Sequence, residues 1–386
     1  MAKYHYPSRY WADDKDVSDL FSQAKFGVRK LHQISKHRGI ILSAELPKET
    51  IVEYLSTLPF SWAELIGFLQ EIESEQREPS LTWSEIERDL DIPQIETAIK
   101  NVRDLRSGLR KKETYEITTN GDTVNVVVKY QELNHLSTRI LQWTDQRVEL
   151  QLIQTAGKIK VRHGATERGS DIANAFIKEL QPPEGPQAPT LAISLENITC
   201  HVKRTDFFRK IIFNLEGLRA ENVMDVRLNR IQVDEDGTPQ VETGVLTLEP
   251  EPLMAGVNNG EAVSAPAATV RKTVLSGDSL LQSREFQDFV GKGFYITKAV
   301  WTAVENSGAG RKFEFEAEFK NAEQASDFTY KPKSCWERDG SGELARSKAA
   351  PKLDDRRILI DKLEEAAKRA LAEISDDLET EADTKE

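Results

Sequence analysis

The chain has 386 residues, of which 39% are hydrophobic and 30% charged, and its formal net charge is −12. A chain of this length can hold two or three domains with separate cores, and its 15 Phe, 8 Tyr and 6 Trp residues exclude a wholly disordered protein. The 2 cysteines exclude a disulfide framework or a zinc ribbon, and they indicate a reduced, cytoplasmic protein. The apolar runs are too short to span a bilayer, so no membrane association is expected.

The negative charge is distributed unevenly along the chain. Residues 25–48 contain six Lys or Arg and one Glu, a local net charge of +5, and residues 100–112 also reach +5. Residues 71–96 carry −7, and the last eleven residues carry −5. This alternation predicts separate basic and acidic faces, so the total charge does not exclude a local site for a polyanion.

Helical spacing of apolar residues predicts a compact module of five short helices within residues 1–112. Ser61 and Thr82 are each followed three residues later by a glutamate, the spacing of a capping box, so both are expected to begin a helix. Pro93 suits the first turn of the last helix, which is expected to end near Gly108. The predicted segments are 16–37, 48–58, 61–74, 82–90 and 91–109.

Residues 113–181 change to a strand pattern. Turn residues at Asn120–Asp122 and at Ala156–Gly157 separate pairs of β-rich segments, which predicts two hairpins. An amphipathic helix follows, with Ser170 as its expected N-cap, so this region should be an antiparallel sheet with a helix packed on it. Four prolines in residues 181–189 then predict a stiff linker.

Residues 190–332 are predicted to form an α+β domain with a possible internal repeat. Segments 207–250 and 283–320 each run from a helix through a glycine into two strands, which favours a duplicated helix–hairpin unit. The alternative is that any two such units have similar patterns. The whole chain is therefore expected to be α+β, with a helical module first and a helix near its end.

Residues 333–386 combine an irregular linker, an amphipathic helix and an acidic tail. Apolar residues of the helix alternate in spacings of three and four, the pattern of a short coiled-coil seam. Three heptads are marginal alone, so residues 353–378 should pack on this protein, on a partner or on a second copy. The seam residues are Ile360, Leu363, Ala367, Ala370 and Ile374.

The most informative stretch for function is residues 31–58, where two helical patterns flank a basic turn at Gly39. This stretch resembles the helix–extended loop–helix motifs of the SAP and Rho N-terminal class, which bind DNA or RNA. The resemblance implies that Lys36, Arg38 and Lys48 contact backbone phosphates, with Ser43 as a helper. The alternative is an ordinary corner between two packed helices.

A second basic segment, residues 103–112, is expected to assist at this interface. Its cations can neutralise phosphates and release counterions, or they can interact with the dipole at a helix C-terminus. The candidate residues are Arg103, Arg106, Arg110, Lys111 and Lys112.

No catalytic signature is recognised, and no metal or cofactor is expected. Glu318 and Lys320 imitate half of a metal-dependent nuclease site, but a half-buried strand explains the same alternation. The leading hypothesis is a non-enzymatic DNA- or RNA-binding assembly protein. The second is an acidic scaffold or regulatory subunit that binds proteins through its C-terminal helix, and the third is a cryptic nuclease.

Overall fold

The computed structural model describes residues 12–73, 79–108, 113–135, 139–230, 272–276, 280–306, 310–338 and 343–383. These residues have the predicted α+β architecture. Contacts divide the chain into two compact units. Unit 1 comprises Met1–Pro79 and Glu85–Thr190, and unit 2 comprises Ser80–Ser84 and Leu191–Glu386.

Unit 1 begins with four helices that share one apolar core. They are α1 (Asp14–Ser22), α2 (Val28–His37), α3 (Lys48–Ser56) and α4 (Trp62–Glu73). The predicted single segment 16–37 is therefore two helices, because the chain leaves α1 after Ser22 and Gly27 is the N-cap of α2. Aromatic rings meet edge to face in this core at centroid distances of 5.3–5.8 Å, namely Phe21, Phe26, Phe60 and Phe68.

The prediction of a helix at residues 82–90 is wrong, since Leu81–Ile86 form strand β1. Leu81 pairs with Tyr330, and Trp83 is buried in the core of unit 2. The capping-box spacing of residues 82 and 85 is a local preference of about 1 kcal/mol. Backbone pairing and the burial of a tryptophan outweigh it.

The remainder of unit 1 is an antiparallel sheet with two helices packed on it. Strands β2 to β5 are neighbours in chain order, and both predicted hairpins are present. Gly121 and Gly157 have φ of 57° and 73°, the left-handed backbone that these turns require. The elements are α5 (Ile92–Gly108), β2 (Thr114–Asn120), β3 (Thr123–Leu133), β4 (Trp143–Thr155), β5 (Lys158–Gly164) and α6 (Glu167–Glu179).

Helix α6 begins earlier than its sequence pattern predicts. Thr166 is the N-cap, because its hydroxyl accepts a hydrogen bond of 3.0 Å from the Gly169 N–H. The predicted cap, Ser170, lies inside the helix, and its N–H donates to the Thr166 carbonyl. The prediction of Ser170 as the cap is therefore wrong.

The main strands of unit 2 are antiparallel neighbours in the order β11 (Ser326–Trp336), β10 (Lys312–Asn321), β9 (Phe294–Glu305), β7 (Leu218–Arg230) and β8 (Lys272–Ser276). Its helices and strands share one apolar core. The elements are β6 (Thr190–Ala192), α7 (His201–Phe213), β7 (Leu218–Arg230), β8 (Lys272–Ser276), α8 (Arg284–Gly291), β9 (Phe294–Glu305), β10 (Lys312–Asn321), β11 (Ser326–Trp336) and α9 (Leu353–Asp383).

The two segments of the possible repeat have the expected helix-then-strand order. Helix α7 leads into β7 and helix α8 into β9, and these two strands pair with each other in antiparallel register from Leu218↔Glu305 to Arg230↔Phe294. The second strand expected at 241–248 lies outside the described residues, whereas its counterpart is β10. Duplication of the unit stays a prediction.

The predicted C-terminal helix is α9, and all five seam residues are buried in the core of unit 2. The seam therefore packs within unit 2. Leu353 and Ile358, in the first turns of α9, are 74% and 53% exposed. Within the described part of the chain, no helix is both long enough and apolar enough to cross a membrane.

Candidate nucleic-acid interface

Gly39 follows Arg38, the C-cap of helix α2, and starts the turn of the predicted interface. Its φ is 75°, a backbone conformation in which a side chain is disfavoured. The Gly39 N–H donates to the Lys36 carbonyl and the Ile40 N–H to the Ser35 carbonyl, both at 2.9 Å. These bonds satisfy carbonyl groups at the helix end, as in the common glycine caps.

Arg38 holds this turn against helix α4. Its guanidinium donates at 2.7 Å to the Pro59 carbonyl and at 2.7 Å to the Glu64 carboxylate, and it lies 4.0 Å from the centre of the Phe60 ring. Hydrogen bonds from Ser61 lower the pKa of Glu64, and the ion pair with Arg38 adds to the effect. Arg38 is therefore engaged in shaping the corner.

Lys48 fastens the beginning of α3 to the end of α1. Its ammonium group donates to the Ser22 and Gln23 carbonyls at 2.9 Å each. These carbonyls lie at the C-terminal end of α1, where the helix dipole favours a cation. Lys48 is thus a cap for a neighbouring helix, and its charge is partly compensated.

Helix α2 carries an exposed basic stripe, which we define as Arg29, Gln33, Lys36 and His37. The spacing i, i+4, i+7, i+8 puts these side chains on one helical face, and all four are exposed. Helix α2 contains no acidic residue. Among the described residues, the side chains of Arg29 and Lys36 have no hydrogen bond or ion pair, whereas the Lys30 side chain pairs with Glu71 at 3.0 Å.

Ser43, the predicted helper, lies in the exposed loop between α2 and α3. Its hydroxyl accepts a weak hydrogen bond of 3.4 Å from the Glu45 N–H. Of the four residues predicted for this interface, Lys36 and Ser43 are exposed, whereas Arg38 and Lys48 are half-buried.

The second predicted cluster is engaged in internal ion pairs where it is described. Arg103 donates to Asp104 at 2.8 Å, and Arg106 is buried and binds both carboxylate oxygens of Glu113 at 2.9 Å. Burial acts to raise the pKa of Glu113, but hydrogen bonds from Arg106 and Tyr115 outweigh it and lower the pKa. Arg110, Lys111 and Lys112 lie outside the described residues.

The glutamates of β10, which include the nuclease-like Glu318, are neutralised by bases. Glu314 and Glu316 are buried, and the lysines around them outweigh the effect of burial and lower the pKa of each. Lysines and an arginine of unit 2 supply the pairs: Glu314 with Lys333 and Lys348, Glu316 with Lys298, Lys331 and Lys333, and Glu318 with Lys298 and Arg227. In the described parts of both units, no group of three or more His, Cys, Asp or Glu is arranged to hold a metal ion.

Neither a protein-family model nor a curated protein matches this chain. The interpretation of the corner therefore depends on its own chemistry.

The geometry separates the predicted cations into two groups. Arg38, Lys48 and Arg106 hold elements of unit 1 together, and Lys36 remains available in solvent. Arg29 and His37 complete the exposed stripe, although neither was among the site residues predicted from the sequence. The signal was present as the acid-free helix Val28–His37 with polar residues at helical spacing.

Proposed function

We propose that this chain is a non-enzymatic nucleic-acid-binding protein whose helical module contacts the phosphate backbone of DNA or RNA. The observation that carries the proposal is the basic stripe of α2, in a helix without acidic residues and in a chain of net charge −12. We also propose a cytoplasmic location, as expected from the cysteine count. Cys200 and Cys335 are free thiols, in agreement with a reducing compartment.

The chemistry of the stripe suits phosphate groups. Arg29 and Lys36 lie seven residues apart, two helical turns or about 10 Å, which is within reach of phosphates along one strand for these long side chains. Each neutralised phosphate releases condensed counterions, so binding should weaken steeply with salt. Such contacts position a protein without selecting bases, so no sequence preference is expected from the stripe.

Arg38 and Lys48 enter this proposal as residues that shape the interface. Arg38 holds the turn on α4, and Lys48 holds α3 on α1. The backbone N–H groups at the start of α3 receive no side-chain cap, since Pro47 is its N-cap. They give the corner a partial positive charge that adds to the cations.

The test is a fluorescence-anisotropy titration of the full chain against duplex DNA, single-stranded DNA and RNA at 20–200 mM salt. We expect the double variant Arg29→Glu, Lys36→Glu to lose most of its affinity. Its slope of log K against log salt should become shallower by roughly 1–2, because about two phosphate contacts are lost. Absence of wild-type binding to all three ligands at the lowest salt would refute the proposal.

A matched control carries the same change in charge in the other unit. The side chains of Arg219 and Arg357 of unit 2 are exposed and have no hydrogen bond or ion pair within the described chain, so Arg219→Glu, Arg357→Glu should retain wild-type binding near 150 mM salt. Arg38→Glu is unsuitable as a test, because it would place a glutamate against Glu64 and damage the fold.

The alternative proposal is a scaffold or regulatory subunit that binds proteins or a second copy through residues 353–378. Its support is limited to the exposed Leu353 and Ile358, because the seam of α9 is buried in unit 2. Sedimentation velocity of the double variant Leu353→Glu, Ile358→Glu tests self-association. A dimeric wild type and a monomeric variant would favour this alternative. Removal of α9 is unsuitable, since it would uncover the core.

A further inference from the structure

The loop between α2 and α3 holds a large apolar side chain in solvent. Ile41 is 88% exposed, the largest fraction among the exposed large hydrophobic residues of the described chain. Exposure of this extent is common for a side chain in a mobile segment, but the residues around Ile41 are anchored.

Anchors lie on both sides of Ile41. The Ile40 N–H donates to the Ser35 carbonyl at 2.9 Å, and Arg38 binds the α4 region through Pro59 and Glu64. On the other side, Leu42 packs against the apolar core of the four helices. These contacts hold the chain on both sides of Ile41, and the loop presents its side chain to solvent.

We propose that Ile41 is an apolar wedge that enters the minor groove of double-stranded DNA. This inference rests on the proposed function and adds the form of nucleic acid that the corner recognises. Lys36 lies five residues before Ile41, a span of at most about 17 Å. A phosphate at Lys36 therefore leaves Ile41 within reach of the adjacent groove, where apolar side chains separate base steps and bend the duplex.

The charge around Ile41 and the small size of its side chain favour DNA over other partners that this loop could bind. Lys36 and His37 are exposed before it and α2 has no acidic residue, so the α2 side of the loop complements a polyanion, whereas the other side carries the exposed Glu45 and Glu49. One isoleucine is too small to form a protein interface of standard size or to hold a membrane alone. Single strands are bound chiefly by aromatic stacking, and the loop Arg38–Pro47 contains no aromatic residue.

The experiment measures affinity and bending together, using a mixed-sequence duplex labelled at both ends for energy transfer. We expect wild-type protein to shorten the end-to-end distance. Ile41→Ala should bind the duplex about tenfold more weakly, because part of the burial of an isoleucine is lost. It should no longer bend the duplex, and its salt slope should be unchanged, since no phosphate contact is removed.

Two controls separate this effect from damage to the protein. Ile41→Ala should keep the wild-type thermal unfolding curve, since the side chain is almost fully exposed. Leu353→Ala removes another exposed side chain, 74% exposed and in unit 2, and should change neither affinity nor bending.

The outcomes distinguish this inference from the proposed function. If Ile41→Ala keeps the wild-type affinity and bending, the wedge inference is overturned and the proposed function is unaffected. The same holds if the wild-type protein binds single strands but not the duplex. The same variant is also titrated against vesicles that contain phosphatidylserine. If Ile41→Ala binds these vesicles more weakly than wild type but keeps its affinity for the duplex, the wedge inference is overturned in favour of a membrane surface. Absence of wild-type binding to any nucleic acid would refute the proposed function itself, and the wedge with it.

Discussion

Gly169 lies in the first turn of α6, where the helix passes close to the end of β5. A Cβ at this position would lie 2.3 Å from the Gly164 carbonyl oxygen and 3.0 Å from the Thr166 hydroxyl. Non-bonded carbon and oxygen atoms normally remain beyond about 3 Å. Gly169→Ala therefore requires the helix or the strand end to move, and the nearer obstacle is backbone, which cannot rotate away.

The cost of Gly169→Ala follows from three contributions. Overpacking of this kind costs about 1–3 kcal/mol. Disturbance of the Thr166 cap, whose hydroxyl accepts the 3.0 Å bond from the Gly169 N–H, adds about 1 kcal/mol. Alanine's better helix propensity returns about 1 kcal/mol. We expect the free energy of unfolding of unit 1 to fall by about 1–3 kcal/mol, a decrease of roughly 3–10 °C in Tm.

Gly67→Ala is the matched control for this substitution. Gly67 lies in α4, also in unit 1, and a Cβ there would meet nothing within 4 Å. The control should therefore be neutral or stabilising by up to about 1 kcal/mol. Urea unfolding followed by far-ultraviolet circular dichroism measures both variants. Equal stability of Gly169→Ala and wild type, or equal shifts in the two variants, would refute the close approach of α6 and β5.

Two further predictions concern ion pairs inside each unit. Glu113→Gln should lower the stability of unit 1 by about 3 kcal/mol at neutral pH, because it leaves buried Arg106 without its carboxylate. The pKa of Glu113 is lowered in the folded state. Its contribution to the free energy of unfolding is therefore present above about pH 4.5 and is lost as the pH falls through the folded-state pKa. The stability of the Glu113→Gln variant should accordingly decrease less steeply with falling pH than that of wild type. Arg311→Ala should lower the free energy of unfolding of unit 2 by about 1–2 kcal/mol, because Arg311 binds Glu305 at 2.8 Å and Asp355 at 2.7 Å. Its control is Arg357→Ala, on the exposed side of α9, which should lower it by less than about 0.5 kcal/mol in the same urea titration.

The elements with strong local signals were predictable from the sequence. The hairpins at Gly121 and Gly157 have turn residues whose backbone preference is intrinsic, and the periodic pattern of α9 matches its buried face. Strand β1 was not predictable, because its conformation depends on Tyr330, about 250 residues away along the chain. Local spacing favoured a helix there, and long-range pairing decided against it.

The candidate site was predictable only in outline, for a related reason. A cation near a helix end binds whichever carbonyl or carboxylate the fold brings to it. For Arg38 these groups are at Pro59 and Glu64, and for Lys48 they are carbonyls at the end of α1. The sequence identifies the charges, but their availability depends on partners that are 21 or more residues away.

The overall charge of −12 bears directly on how phosphate binding must be measured. At 10 mM salt the screening length is about 30 Å, so the basic stripe acts together with acidic groups across much of unit 1. At 150 mM it is about 8 Å, and the stripe is screened from all but its nearest neighbours. The control Arg219→Glu, Arg357→Glu should therefore weaken binding at 10 mM, through long-range repulsion alone, and match wild type near 150 mM. The double variant in the stripe should remain defective at both salt concentrations, because its lost contacts are with the phosphates themselves. If the two variants instead lose affinity in parallel at every salt concentration, binding reflects total charge, and the stripe on α2 is not the site.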